Sequence, residues 1–176
     1  MTTTTPQTTD TRDIESSGWR IDPTRSGVEF RARSFWGLVT VSGRFERYSG
    51  TLDLRGAPAI ELTIEAGSLN TKNKLRDKHL RSGDFFDTKN HPDVRFVSDY
   101  TTLDGERLLV HGRLHAAGKS MPLDINATLR RVGDELQIDA RTAADYPELG
   151  MSRGTLGMIR TPVELIVHGR LVRDAA

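Results

Sequence analysis

Three groups of residues in this chain have types and spacings that could do chemistry. Gly150-Met151-Ser152-Arg153-Gly154 fits G-x-S-x-G, the frame in which a sharp strand-to-helix turn exposes a nucleophilic serine. Such an elbow needs a buried strand before the serine and a helix after it. Here Tyr146-Pro147-Glu148 comes before, and Thr155-Leu156-Gly157 with a strand-like run comes after. A glycine-rich loop is therefore the expectation. Gly118-Lys119-Ser120 matches the end of a phosphate-loop pattern, whose backbone amides cradle phosphate oxygens. The full pattern needs a glycine five residues before Gly118, where this chain has Arg113. The tripeptide also joins two strands rather than opening a helix, so a hairpin turn is expected. His79, Asp84, Asp87 and His91 form the one cluster of metal-ligating types. Their spacing matches no helix or finger arrangement, and Asp84 and Asp87 are expected to bond local backbone amides instead. His111, His115 and His168 share strand parity with charged residues and are expected to face solvent. No catalytic residue, metal or cofactor is assigned.

The elements that must position any site are strands. Period-two alternation, the mark of a strand with one buried face, recurs along the chain. Val28, Phe30 and Ala32 alternate with Glu29, Arg31 and Arg33, and Val39, Val41, Gly43 and Phe45 with Thr40, Ser42 and Arg44. Ile60, Leu62, Ile64 and Ala66 alternate with Glu61, Thr63 and Glu65. The same rule governs Leu108 to Leu114, Leu123 to Leu129, Leu136 to Ala140 and Val163 to Leu171. Turn sequences separate the runs at Gly56-Ala57-Pro58, Asp104-Gly105, Gly118-Lys119 and Gly133-Asp134.

One segment breaks the pattern. Residues 74–82 read as a short basic helix with Asn73 as its N-cap and Gly83 ending it in a left-handed C′ position. Leu75 and His79 fall on one face, with Leu80 beside them. About eight short strands and one helical excursion specify an all-β antiparallel fold. The pattern suits a barrel or a sandwich, and a closed eight-stranded barrel is preferred because it leaves no strand edge exposed. Val-His-Gly-Arg-Leu occurs at 110–114 and again at 167–171, which reads as two strands under similar constraints. Such a barrel can enclose packed side chains or one small ligand, and periodicity leaves both open.

Composition narrows the function classes. The chain has 176 residues, a net charge of +1 and no cysteine. The charge gives no global pull toward nucleic acid, and disulfide or thiolate chemistry is excluded. Residues 1–18 are rich in threonine and bury too little apolar surface to offset their ordering entropy, so a disordered tail is expected there. A barrel domain is expected over residues 19–176. The tail lacks the basic start and apolar core of a secretory signal, and no apolar run approaches the roughly 18 residues that span a bilayer. Cytoplasmic residence is the expectation, with membrane contact at most transient.

The run from Asn70 to Asp87, with Arg76-Asp77-Lys78-His79-Leu80 and Asp84-Phe85-Phe86-Asp87 at its centre, resembles the signature of the YceI-like family of polyisoprenoid-binding proteins. It continues into His91-Pro92-Asp93-Val94-Arg95-Phe96. The opening Trp19-Arg20-Ile21-Asp22-Pro23, then Gly43-Arg44-Phe45, Gly50 and Gly112-Arg113-Leu114, follow the same family. The resemblance covers about Trp19 to Val172. It implies a lipocalin-like barrel, often a homodimer, whose interior takes an isoprenoid or other apolar lipid of quinone or polyprenyl type. Many members are exported, and the absence of a signal sequence departs from that. So does Tyr146, which stands where the family usually has arginine, with Leu149-Gly150 replacing Phe-Gly. If that arginine held a polar head group, head-group preference differs here.

The reading that follows is a carrier or stress-related store, not an enzyme. A lumen lined by Phe30, Val41, Phe45, Leu62, Ile64, Phe96, Ile125 and Leu165, with Leu80, Phe85 and Phe86 from the excursion, would hold the chain. Each buried CH₂ is worth about 0.8 kcal/mol, so ten give roughly 8 kcal/mol before association costs. Arg76 and His79 are the candidates for a lid or head-group contact. The competing view makes the helix a plug that Asp77 and His79 tie down. The competing functions are a filled barrel serving as an interaction module, or an enzyme using the same cavity through Ser152 or the His79–His91 segment.

Overall fold

Alternating segments in this chain satisfy their backbone amides by pairing side by side, and the pairing closes on itself. The computed structural model describes residues 17–34, 39–149, 151 and 160–174. Residues 1–16 of the threonine-rich tail lie outside the described residues, as do Gly150 and residues 152–154 of the G-x-S-x-G loop.

Among the described residues are eleven β segments and one α-helix: β1 (Gly18–Ile21), β2 (Gly27–Ser34), β3 (Val39–Phe45), β4 (Tyr48–Asp53), β5 (Ala59–Glu65), β6 (Leu69–Asn70), α1 (Lys74–Arg81), β7 (Asp93–Asp104), β8 (Arg107–Ala116), β9 (Lys119–Val132), β10 (Glu135–Ala144) and β11 (Arg160–Arg173). β11 pairs with β10 along one edge and with both β1 and β2 along the other. β1 and β2 then pair with β4 and β3, and those with β5 and β6. The first six segments are thus three interrupted strands. With β7 to β11 they make eight antiparallel strands in chain order, and the β1–β11 pairing closes the barrel.

Each interruption is stitched by side chains. Between β1 and β2 the Asp22 carboxylate accepts from Thr24 N and Oγ1 at 2.9 and 2.6 Å and from Arg25 Nε at 2.7 Å. The Thr24 hydroxyl first, then the Arg25 guanidinium, hold the Asp22 carboxyl down from 3.8 to about 2. Between β3 and β4, Ser68 Oγ accepts the freed amides of Glu46 and Arg47 at 3.2 and 3.0 Å.

The last strands are joined by tight hairpins. Ala117 (φ 50°) and Gly118 (φ 75°) link Ala116 to its partner Lys119. Both central residues are left-handed, the geometry of a type I′ turn. The imidazole of His91 lies where a Cβ on Gly118 would be, with Cε1 at 2.7 Å. Gly118-Lys119-Ser120 is therefore a hairpin and not a phosphate loop. The repeated pentapeptide falls on β8 and β11. In each copy the glycine faces inward and the histidine outward, paired through Nδ1 at 2.7 Å to an aspartate opposite: His111 to Asp124 and His168 to Asp139.

Helix α1 interrupts the meander between β6 and β7. Asn73 Oδ1 caps it by accepting from Arg76 N at 3.0 Å. One sequence expectation fails here. Gly83 is not among the left-handed glycines. Instead Ser82, with extended backbone, ends the helix by donating from N and Oγ to His79 O at 3.0 and 2.7 Å, which leaves no need for a glycine cap. Leu75 is 81% exposed, and Asp77 and Leu80 are the residues that turn inward. A hundred degrees per residue puts Leu75 nearly opposite the midpoint of those two.

The core is uneven along the barrel axis. At the end away from α1, Trp19, Leu52, Leu108 and Leu136 are all at most 2% exposed and plug the interior. Arg173 stacks its guanidinium over the Trp19 ring at 5.5 Å. Toward the helix end the filling is incomplete, and that defines the site.

Candidate functional site

Beyond that plug, inward-facing side chains only partly cover one another. Phe30, Ile60, Leu62, Ile125, Ile138, Ala140, Val163, Leu165 and Val167 have inward parity yet are only partly buried. They border an internal cavity of about 210 Å³.

Two features keep the lumen open. The first is a set of short residues on the wall: Ala32, Ala116, Ala127, Ala140 and Ala144, with Ala140 directly opposite Ala127 in the β9–β10 register. Their side chains do not reach the barrel axis. The second is that large side chains lie along the wall, because inward glycines make room for them. The Phe30 ring occupies the space of a Cβ on Gly43, its partner across the β2–β3 pair. Phe96 Cζ lies 2.6 Å from a Cβ position on Gly112, and Ile138 Cγ2 lies 2.6 Å from that on Gly169. A side chain on any of these glycines would push its neighbour into the lumen.

The residues singled out from sequence fall as follows. Phe30, Val41, Phe45, Leu62, Ile64, Phe96, Ile125 and Leu165 line the wall, and Arg76, Leu80, Phe85 and Phe86 reach the cavity from the excursion between β6 and β7. Phe45 joins wall to roof, with ring centroids 5.6 Å from Phe30 and 6.0 Å from Phe86. His79 is not brought into the lining. Its ring stands edge-on to Phe85 at 5.4 Å, and Nε2 is buried without a hydrogen-bond partner. Residues that the sequence reading left off its site include Ile60, Ile138, Val163 and Val167. Their strand parity was the signal that could have found them.

Charge enters the cavity at one side chain. Glu29 and Glu61 border it from positions of outward parity, and the Glu61 carboxylate is held on the outer surface by Arg95 at 3.1 Å. Arg76 is different. It is held against Thr71, donating from Nε to the hydroxyl and from Nη2 to the carbonyl, both at 2.8 Å. Two of its five N–H donors are used in this way, and among the described residues no carboxylate lies within ion-pair distance of it. Asp77, 7% exposed, accepts from Thr71 N and Oγ1 at 2.9 and 2.6 Å. Asp77 thus ties the excursion to the end of β6, while Arg76 keeps donors for another acceptor.

The remaining chemical candidates are dispersed. Among the described residues no group of three or more His, Asp or Glu side chains is arranged to hold a metal ion. The Asp87 carboxylate accepts from the Asn90 amide at 2.9 and 3.1 Å, and Asp84 is exposed. Among the described residues neither carboxylate accepts from a local backbone amide as expected, and Asp87 is held by the Asn90 side chain instead. His115 and His168 are exposed, and His111 stacks on Tyr100 at 4.3 Å. Ser152, the candidate nucleophile, and the Tyr146 side chain lie outside the described residues.

A closed up-and-down barrel, plugged at one end and apolar within, belongs to the lipocalin-like class, whose interior can take an apolar molecule. More narrowly, residues 19–171 match the YceI-like domain, and the chain belongs to that family. A UPF0312 protein of Photorhabdus laumondii is 38% identical over 104 residues, covering 56% of this chain and 54% of that protein. The chain thus spans little more than half the length of the curated relatives it matches. The fold is shared with the BcnA protein of Burkholderia cenocepacia (TM-score 0.79, 20% identity, 85% of this chain and 98% of that one). It is shared too with a polyisoprenoid binding domain from Saccharophagus degradans (TM-score 0.74, 17% identity, 89% and 98%).

Proposed function

We propose that the barrel binds an isoprenoid or similar slender apolar chain, of quinone or polyprenyl type, with its tail in the lumen and its polar head at Arg76. The observation that carries this is the set of inward-facing apolar side chains, Phe30, Leu62, Ile125 and Leu165 among them, which pack against the core on one side and are left only partly covered where they border the cavity. Apolar surface left inside a closed barrel is stabilised by any hydrocarbon that fills it. A cavity of about 210 Å³ lies below the roughly 300–1,000 Å³ of drug-sized ligand sites, which favours a narrow chain over fused rings. Arg76, with unused donors and, among the described residues, no carboxylate within ion-pair distance, suits a carbonyl or phosphate oxygen. That the similarly folded Saccharophagus protein is a polyisoprenoid binding domain supports the same ligand class.

The test is organic extraction and mass analysis of protein purified from a quinone-producing host, followed by titration with a short-chain quinone. A lipid recovered at near-unit stoichiometry, or saturable binding at tens of micromolar, is expected. Protein that carries no lipid and binds none would sink the proposal. Native mass spectrometry of the same preparation reads the homodimer that the family resemblance implies.

A further inference from the structure

We propose that the α1 end of the barrel is a docking surface for an anionic phospholipid bilayer, with Leu75 as the inserting side chain and Lys72, Lys74 and Lys78 as the head-group contacts. The inference rests on the lumen reading only for its purpose, which is to bring the cavity roof against the lipid that supplies the chain.

The geometry of α1 is the first support. Asp77 and Leu80 point into the molecule, and the opposite side carries Leu75 at its crest, 81% exposed, with exposed Lys74 and Lys78 along one flank and exposed Lys72 just before the helix. A single leucine held out in water by a short helix has no packing role in this fold. An apolar crest beside lysines is the pattern of an interfacial helix, whose apolar side enters the acyl boundary while its cations meet head groups. At the same end Val39, the first described residue after the β2–β3 connection, is 48% exposed.

Charge is the second support. Residues 71–92 carry six Lys and Arg against three Asp, a net of +3, although the whole chain is only +1. The rest of the molecule therefore carries −2, and the excursion is its positive pole. One of the three acids, Asp77, is withdrawn from the surface onto Thr71. An extended anionic surface complements such a pole, and the opposite end of the barrel would be turned away from it.

The third support is continuity. The same excursion whose outer side bears Leu75 lines the cavity with Arg76, Leu80, Phe85 and Phe86. One element faces both the lumen and the proposed bilayer, so a chain leaving the membrane would meet Arg76 without crossing open water.

The experiment is co-sedimentation of the full chain with isoprenoid-free vesicles of phosphatidylglycerol and phosphatidylcholine, against vesicles of phosphatidylcholine alone. Partition onto the anionic vesicles is expected, lost at about 0.5 M salt, where screening acts over a few ångströms. Lys74→Ala and Lys78→Ala should each lower it about fivefold, and Leu75→Glu should lower it further. These side chains project into solvent, so the variants should fold, and their quinone titration without vesicles should match the wild type. That separates the two proposals: failure to bind quinone bears on the lumen, and failure to bind vesicles bears on docking. No partition onto anionic vesicles, or partition that survives Leu75→Glu and the lysine changes, overturns the docking surface.

Discussion

Ala140→Leu distinguishes a ligand cavity from a packed interior by the sign of one free-energy change. Ala140 on β10 stands directly opposite Ala127 on β9 and Val167 on β11, and all three border the cavity. Leucine adds three carbons to the lumen. At about 0.8 kcal/mol for each buried methylene, the gain is at most about 2.4 kcal/mol. Fixing the leucine rotamer takes back roughly 0.5–1 kcal/mol. The ligand-free protein should therefore be stabilised by about 1.5–2 kcal/mol. In a filled core the same change would overpack the site and destabilise by roughly 1–3 kcal/mol. The added carbons also take space from a bound chain. Losing contact worth about 2.4 kcal/mol weakens binding about fiftyfold. Urea unfolding followed by circular dichroism reads the first effect as a raised midpoint at unchanged slope, and a short-chain quinone titration reads the second. A lowered midpoint would show that the interior has no room. A raised midpoint with unchanged affinity would show that the chain binds elsewhere.

Ile64→Glu and Leu165→Glu place a carboxylate against the apolar lumen, and a buried unpaired charge costs several kcal/mol. Either the unfolding midpoint or quinone affinity should fall, whereas Glu61→Gln and Glu164→Gln on the outer surface should leave both in place. Asp77→Ala removes two buried hydrogen bonds to a carboxylate, each worth about 1.5–3 kcal/mol. Amide exchange of α1 should accelerate before that of the strands, and uniform acceleration would contradict the tether. Acid should destabilise the fold late. Asp22 and Asp53 are both lowered from 3.8 to about 2, Asp22 first by the Thr24 hydroxyl and Asp53 first by Arg55. A depressed folded value contributes stability that is whole above pH 3.8 and is lost as pH falls toward 2. The urea midpoint should stay level from pH 7 to 5 and decline between about 4 and 2, and Asp22→Asn should reduce that decline.

The residues that face the lumen were legible in the sequence because a strand has a period of two. Once Phe30, Leu62, Ile125 and Leu165 are placed in alternating runs, their side is decided by their neighbours Glu29, Glu61, Asp124 and Glu164. The helix start was equally legible, since Asn73 bonds an amide three residues away. Its end was not, because the Ser82 hydroxyl took the role that a glycine would have filled. Nor was the outward turn of Leu75, which depends on Asp77 being drawn inward to Thr71. The state of the interior was beyond any local pattern. An apolar alternating face reads the same whether it packs against the far wall or borders a cavity, because both remove it from bulk water. What separates the two is distance across the barrel, set by ring closure between β1 and β11, by Ala140 meeting Ala127, and by Phe30 lying over Gly43. The closing strands lie some 150 positions apart in the chain. Which wall positions are short, and which rings lie flat, acquires meaning only when the tertiary structure brings those positions around one axis.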